Sequence, residues 1–262
     1  LILLLSVGVS VVVVMSTGVK SCSIHDTDMS FSVDLERQLK AIIKKSILLD
    51  SAYLENREVE ESLDAILERL VGAMEELPYE IEVIVIDSPA VNAAAFPGGL
   101  IVVYSGLIGF AYSAQEAAAV LAHELGHVAS KDPVRKLARQ VGISVVLGML
   151  RGGGDATVAE NLVRSILDAQ YSQEQERRAD EYAIKLLSRA GINPESLGSF
   201  FRRLSEYQSG GGNILLAYLG THPQLEERIE KADLLSEAMI TDIKSLDIDW
   251  ESVRRNFPSI FD

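Results

Sequence analysis

The stretch AAAVLAHELGHVASKD, residues 117–132, most constrains this chain, because it predicts a helix that presents two histidines together. Ser113 and Glu116 have the spacing of a capping box, in which a hydroxyl and a carboxylate each accept a free backbone N–H of the first helical turn. On the helix that starts there, His123 and His127 lie one turn apart on the same face. Both imidazoles can therefore reach one metal ion about 2 Å away.

Glu124 stands beside the first histidine, where a carboxylate is useful to a zinc hydrolase. Zinc on neutral ligands lowers the pKa of its water toward about 7, and a nearby carboxylate takes that proton as hydroxide attacks a peptide carbonyl. Gly126, between the histidines, allows another backbone to approach closely. The alternative is a polar patch on an amphipathic helix, and a catalytic zinc requires a third protein ligand from elsewhere in the chain.

Residues 171–183, YSQEQERRADEYA, contain the candidate third ligand. Ser172 and Gln175 predict a second capping box, which places Glu176 in the first turn of a helix and Asp180 one turn later on the same face. Glu176 would bind the metal, and Asp180 would accept the free N–H of a ligand histidine and fix its tautomer. The alternative is an ordinary charged helix start, since acidic residues are favoured there.

Together these segments resemble the zinc metallopeptidase family of HtpX, the Ste-type CAAX prenyl proteases and the periplasmic peptidases LoiP and BepA. HELGH followed by Glu176-x-x-Ala179-Asp180 carries the metal motif. NAAAFPGGLIVVYSGLI, residues 92–108, is similar to the family's segment ahead of the zinc helix. Thr221-His222-Pro223 with Arg228 is similar to a later His-Pro and Arg.

The resemblance implies one Zn²⁺ per chain, bound by His123, His127 and Glu176, with Glu124 as the general base. It also implies that an edge strand binds an extended substrate peptide through backbone pairing, which gives little side-chain selectivity. The residues of that strand are Asn92, Ala93, Ala94, Ala95 and Phe96. An ordinary hairpin strand is the alternative interpretation of the same residues.

His222 and Arg228 leave several roles open. His222 is a candidate extra zinc ligand in a resting state, or a partner of Arg228 in stabilising the developing oxyanion. Alternatively, it only begins the last long helix before Pro223. The family likeness favours a position near the metal. A structural zinc site, which needs a fourth ligand, would leave Glu124 without a task.

Hydrophobic periodicity predicts a mainly helical α+β fold, in which a small sheet has its edge strand beside the zinc-binding helix. Residues 34–77 form one helix or two with a break near Asp50, and residues 79–87 form a strand. Pro97-Gly98-Gly99 separates two further short strands, residues 91–96 and 100–104. The remaining predicted helices span residues 114–130, 134–150, 156–169, 173–190, 194–207 and 222–238.

The N-terminal residues 1–22 read as a secretory signal or a short membrane anchor, because residues 1–15 are almost entirely apolar. A buried strand is the less favoured alternative. Cys22 is the only cysteine, and residues 19–22 resemble a bacterial lipobox, although Lys20 departs from it. The alternatives are a lipidated Cys22 and a free thiol near an uncleaved anchor. A polar tether over residues 23–33 and one metallopeptidase domain over residues 34–262 complete the predicted organisation.

The net charge of −14 argues against nucleic acid and anionic membrane surfaces as partners. The membrane is then contacted only through the N-terminal anchor or a lipid. These features, together with the resemblance, predict a zinc endopeptidase that cleaves unfolded or misassembled proteins of the bacterial envelope, attached to a membrane as a periplasmic protein or outer-membrane lipoprotein. The alternative function is an assembly chaperone that binds extended segments with little or gated proteolysis.

Overall fold

The computed structural model describes residues 31–50, 53–142, 156–209, 216–239 and 242–257, together with Gly148. The predicted anchor, Cys22 and almost all of the predicted tether lie outside the described residues. Among the helices that are described, none is both long enough and apolar enough to cross a bilayer.

The N-terminal half of the described chain begins with two helices, α1 (Val33–Asp50) and α2 (Arg57–Val71). The break predicted near Asp50 is therefore present. Asn56 caps α2 by accepting a hydrogen bond from the Val59 backbone N–H. The buried positions of α2 recur at helical spacing, so one face of the helix packs on the core.

A three-stranded sheet follows, formed by β1 (Glu82–Ile86), β2 (Ala93–Phe96) and β3 (Leu100–Tyr104). The strand order is β1-β3-β2, with β1 parallel and β2 antiparallel to β3. Gly98 and Gly99 form the β2–β3 turn with φ values of 75° and 79°, which glycine adopts without steric cost. As predicted, β2 is an edge strand of this sheet.

The other described helices are mostly those predicted, which confirms the mainly helical α+β fold. They are α3 (Ser105–Phe110), α4 (Ala114–Ala129), α5 (Asp132–Val141), α6 (Ala156–Asp168), α7 (Gln173–Arg189), α8 (Ser196–Ser209), α9 (Leu216–Thr221), α10 (Leu225–Glu237) and α11 (Trp250–Arg255).

Three short helices, α3, α9 and α11, were not predicted, because six residues hold too few turns for a periodic pattern to be visible. The last long helix was predicted to begin at His222, and this is wrong. His222 follows α9, and α10 begins at Leu225 after Gln224, whose backbone is left-handed with φ 67°.

The contact between α4 and α7 organises the interior. At Gly126 of α4, an added Cβ would lie 3.0 Å from both the Cα and the carbonyl oxygen of Ala179 in α7. This is the close backbone approach predicted for Gly126. Because the two helices touch here, His123 and His127 on α4 face the first turns of α7.

Candidate metal centre

Helix α4 presents His123 and His127 inward from a capped start. The Ser113 hydroxyl accepts a hydrogen bond from the Glu116 backbone N–H at 3.2 Å, as predicted. The Glu116 carboxylate, however, accepts the N–H of Tyr112 at 2.8 Å instead of that of Ser113, and it also pairs with Arg203 of α8. The reciprocal half of this capping box is therefore shifted by one residue.

Helix α7 begins with the complete capping box predicted for Ser172 and Gln175. The Ser172 hydroxyl accepts the Gln175 backbone N–H at 3.3 Å, and the Gln175 side-chain carbonyl accepts the Ser172 backbone N–H at 3.1 Å. This fixes the start of the helix, so Glu176 lies in the first turn and Asp180 one turn later, both buried.

Four side chains converge between these helices: His123, His127, Glu176 and His222. One donor atom from each lies within 4.8 Å of the other three. Nε2 of His123 is 3.1 Å from Nε2 of His127 and 3.3 Å from Nδ1 of His222. The Glu176 carboxylate is 3.6 Å, 3.4 Å and 3.0 Å from the donor nitrogens of His123, His127 and His222, respectively.

These separations fit a tetrahedral zinc ion. Ligand atoms held at 2.0–2.1 Å around such an ion lie roughly 3.3–3.4 Å from one another. The donors are also the imidazole nitrogens and carboxylate oxygen that zinc prefers. The geometry therefore admits His222 as a fourth donor beside the three predicted ligands.

The charges around the donors favour a cation at their centre. Burial lowers the pKa of His222 to about 4, so this ring is neutral at pH 7, as a metal ligand must be. Burial would raise the pKa of Glu176, but His222 and Arg228 hold it well below its ordinary value. Burial acts against a charge on His127 too, yet Asp132 and Glu176 raise its pKa to about 9, so a metal that binds here would displace the Nε2 proton of this ring. The site thus attracts positive charge despite its burial.

The outer nitrogens of the two α4 histidines each meet a carboxylate. Nδ1 of His123 is 2.9 Å from Oδ1 of Asp180, the residue predicted for this position. Nδ1 of His127 is 3.0 Å from Oδ2 of Asp132, which the sequence interpretation missed. Asp132 follows the HELGH motif and is the first residue of α5. An acidic residue five positions after a candidate ligand histidine is the sequence feature that could have identified it.

Arg228 lies behind the carboxylates and is itself buried. Its Nε and a terminal nitrogen donate to the two oxygens of Asp180, each at 2.8 Å. Its other terminal nitrogen makes an ion-pair contact of 2.7 Å with Glu176. Arg228 thus joins the third predicted ligand to the residue that orients His123.

Glu124 is fully buried, and no described side chain hydrogen-bonds to either of its carboxylate oxygens. Nε2 of His222 lies 3.5 Å from its Oε1. Burial raises the pKa of Glu124, which His123 and His127 oppose. A buried carboxylate to which no side chain hydrogen-bonds is costly, so the position of Glu124 beside the donors calls for a functional explanation.

Aromatic rings that the sequence did not single out enclose the donors. The Tyr171 ring stacks on His127 at a centroid distance of 3.8 Å, and the Lys136 ammonium lies 3.9 Å from the centroid of the same tyrosine ring. Tyr218 stacks on His222 at 4.6 Å. With these rings in place, the four donors are almost completely shielded from solvent.

The predicted substrate strand lies next to this site. Asn92 precedes β2, and Ala93–Phe96 form it, with α4 and α5 packed against it. All five residues are buried, and the Asn92 side-chain oxygen has no hydrogen-bond partner in the described part of the chain. The edge strand is therefore present but covered.

The segment that carries these site residues also matches known protein sequences. The sequence profile of peptidase family M48 matches residues 55–236. The chain is 28% identical over 162 residues to the mitochondrial metalloendopeptidase OMA1 of Arabidopsis thaliana, covering 61% of this chain and 33% of that protein. It is 32% identical over 146 residues to the metalloprotease LoiP of Escherichia coli, covering 53% and 56%.

A third relative is the putative beta-barrel assembly-enhancing protease of Vibrio cholerae, which is 30% identical over 184 residues, covering 64% of this chain and 37% of that protein. The chain thus spans between 33% and 56% of the length of these relatives.

Proposed function

Because the chain belongs to peptidase family M48, we propose that it is a zinc-dependent endopeptidase. His123, His127 and Glu176 bind the metal, and Glu124 is the general base. The observation that carries this proposal is the convergence of the donors at separations of 3.0–3.6 Å beside a buried carboxylate to which no described side chain hydrogen-bonds.

The division of labour follows from the contacts. Zinc, when bound, supplies Lewis-acid chemistry that polarises a carbonyl and acidifies water. Glu124 takes the proton of the attacking water and passes it to the leaving amine nitrogen. Because no side chain in the described part of the chain hydrogen-bonds to it, the Glu124 carboxylate is available for this transfer. Asp180 holds the proton of His123 on Nδ1, which keeps Nε2 unprotonated for the metal.

His222 is best explained as a fourth ligand that closes the resting site. Its Nδ1 faces the other donors, and its Nε2 faces Glu124, so it occupies the space that water and substrate need. The contacts of Arg228 with Glu176 and Asp180 favour a positioning role over a direct contact with a developing oxyanion. Peptide cleavage then requires His222 to move away.

Extended segments of unfolded or misassembled proteins are the proposed substrates. Such a segment would pair with the edge of β2, next to Glu124, once the strand is uncovered. The names of the relatives, which include a beta-barrel assembly-enhancing protease, support a quality-control role in the bacterial envelope. We place the metallopeptidase domain at residues 34–262, attached to a membrane by the N-terminal segment or by a lipid on Cys22.

An assembly chaperone with little or gated proteolysis is the second candidate function. The observation that favours it is the burial of the donors, of Glu124 and of the whole of β2, which denies a polypeptide access to the site in this conformation. A chaperone would bind unfolded protein at the same edge strand without releasing fragments.

Fragment release from unfolded, fluorescently labelled casein tests the proposal. The purified protein should degrade casein. Degradation should stop after treatment with a zinc chelator and resume when zinc, but not magnesium, is added back. A degradation rate that the chelator does not change would contradict the proposal that the protein is a metallopeptidase. Suppression of casein aggregation without any fragments would support the chaperone instead.

A further inference from the structure

The two histidines of α4 are oriented from behind by different carboxylates, and only one of these carboxylates comes from the helix that carries Glu176. Asp180 on α7 serves His123, whereas Asp132 at the start of α5 serves His127. Asp132 is 1% exposed, so its charge has to be satisfied by neighbouring side chains.

Both oxygens of Asp132 are committed. Oδ2 lies 3.0 Å from Nδ1 of His127. Oδ1 accepts a hydrogen bond from the Gln175 amide nitrogen at 2.9 Å, and the half-exposed Arg178 lies 3.6 Å from the same oxygen. The carboxylate thus connects a candidate zinc ligand on α4 to the residue that precedes Glu176.

Gln175 is held so that its amide group has one orientation. Its side-chain oxygen accepts the backbone N–H and the hydroxyl of Ser172, each at 3.1 Å, and Arg139 lies 3.5 Å away. Since the oxygen serves the helix cap, the NH₂ group faces Asp132. The same side chain therefore starts the helix of Glu176 and orients the carboxylate behind His127.

We propose that Asp132 and Gln175 are a positioning pair that keeps the proton of His127 on Nδ1, so that Nε2 remains free to bind the metal. This inference rests on the proposed zinc site. The carboxylate accepts the Nδ1–H, and Gln175 prevents the carboxylate from rotating away. Through Gln175 the orientation of His127 is also linked to the position of Glu176.

The hydrogen-bond pattern predicts that each single substitution weakens zinc binding and that the double substitution restores it. In Asp132→Asn, the Gln175 NH₂ selects the asparagine oxygen, which leaves an NH₂ facing His127. That group forces Nδ1 to act as an acceptor and moves the proton to Nε2. In Gln175→Glu, the helix cap is kept, since glutamate suits a capping box, but two carboxylates face each other.

The double variant Asp132→Asn/Gln175→Glu rebuilds the pattern with the donor and acceptor exchanged. The asparagine NH₂ donates to the new glutamate, and the asparagine oxygen accepts the Nδ1–H of His127. A residue that only caps α7 or packs against it would show no such compensation. The double substitution therefore separates positioning of the metal ligand from a purely structural role.

The test is zinc affinity, measured by competition with a chromophoric chelator on the full chain carrying Glu124→Gln, so that self-cleavage cannot interfere. Each single variant should bind zinc about 10–100-fold more weakly, as is typical when the partner of a metal-bound histidine is lost. The double variant should recover most of the loss. Glu174→Gln, at an exposed neighbour that pairs with Arg177, is the matched control and should leave the affinity unchanged.

Single variants that bind zinc as tightly as the parent, or a double variant no better than the weaker single, would overturn the positioning pair alone. A parent chain that binds no zinc would overturn the proposed function together with this inference. Helical content measured on the same samples identifies a variant that has failed to fold.

Discussion

Two regions supply the side chains of the metal centre, and they are built differently. Helices α4 and α7 have 16 and 17 residues, begin with side-chain caps and touch through Gly126 and Ala179. The region of α9 and α10 supplies His222 from the position just after a six-residue helix, and Arg228 from a helix that starts without a side-chain cap. The first region is specified by local sequence signals, whereas the second depends on tertiary contacts with the first.

Arg228 provides the largest test of this difference. Arg228→Met removes the cation that contacts the buried carboxylates of Glu176 and Asp180. We expect the free energy of unfolding to fall by about 3–5 kcal/mol, because two buried charges lose their partner. Urea unfolding followed by circular dichroism measures this.

Lys231→Met is the matched control on the same helix, since Lys231 pairs with Glu227 at the surface. It should cost less than about 1 kcal/mol. Equal losses for the two variants would mean that the buried ion pairs do not hold α10 in place.

The two regions should also differ in how much the loss of one ligand weakens zinc binding. Glu176→Ala removes a ligand of the α4–α7 pair, and we expect a loss greater than the roughly 100-fold that an outer partner can cost. His222→Ala should weaken binding less, because three protein ligands suffice at a catalytic zinc. Chelator competition measures both values. A larger loss for His222→Ala would point to a structural four-ligand site.

The cap of α7 should have a moderate effect on stability. Ser172→Ala removes the hydroxyl that accepts the Gln175 backbone N–H, and should lower the free energy of unfolding by about 1 kcal/mol. Ser165→Ala is the control, because the Ser165 hydroxyl donates an exposed hydrogen bond to the Asn161 carbonyl within α6 and does not cap a helix. This substitution should change the free energy of unfolding by less than about 0.5 kcal/mol. Equal changes would argue against local specification of α7.

The smallest expected effect is a gain in stability, in contrast to the losses predicted above. Gln224, just before α10, has a left-handed backbone with φ 67°. This conformation is energetically unfavourable for a residue that has a Cβ atom. Gln224→Gly should therefore raise the free energy of unfolding by about 0.5–1 kcal/mol. Gln173→Gly, at an exposed helical position of α7, should lower it. A loss of stability in both variants would show that the turn before α10 is not strained.

The same contrast explains what could be predicted from the sequence. The helices of His123, His127 and Glu176 were predictable because Ser113 and Ser172 mark their starts and apolar residues recur along them. The strand Leu100–Tyr104 was predicted with its bounds, because a Pro-Gly-Gly turn precedes a run of branched residues. The resemblance to the metallopeptidases, based on HELGH and its companions, is confirmed by the family match.

What sequence reasoning missed depends on tertiary contacts. Asp132 joins His127 only because α5 turns back after Lys131, whose backbone is left-handed with φ 54°. The stacking of Tyr171 and Tyr218 on the histidines arises from packing between elements distant in sequence. The burial of β2 depends on the helices α4 and α5 packed against it, which its own short apolar run does not identify.

Zinc content and casein cleavage, measured on the same preparations of wild type and Glu124→Gln, test whether Glu124 is the general base of a zinc peptidase. We expect equal zinc, close to one ion per chain, in both proteins. The wild type should cleave casein, and the variant should cleave it at least about 100-fold more slowly, as is typical for removing a general base. Equal cleavage by both zinc-loaded proteins would contradict the assignment of Glu124 and the peptidase mechanism built on it.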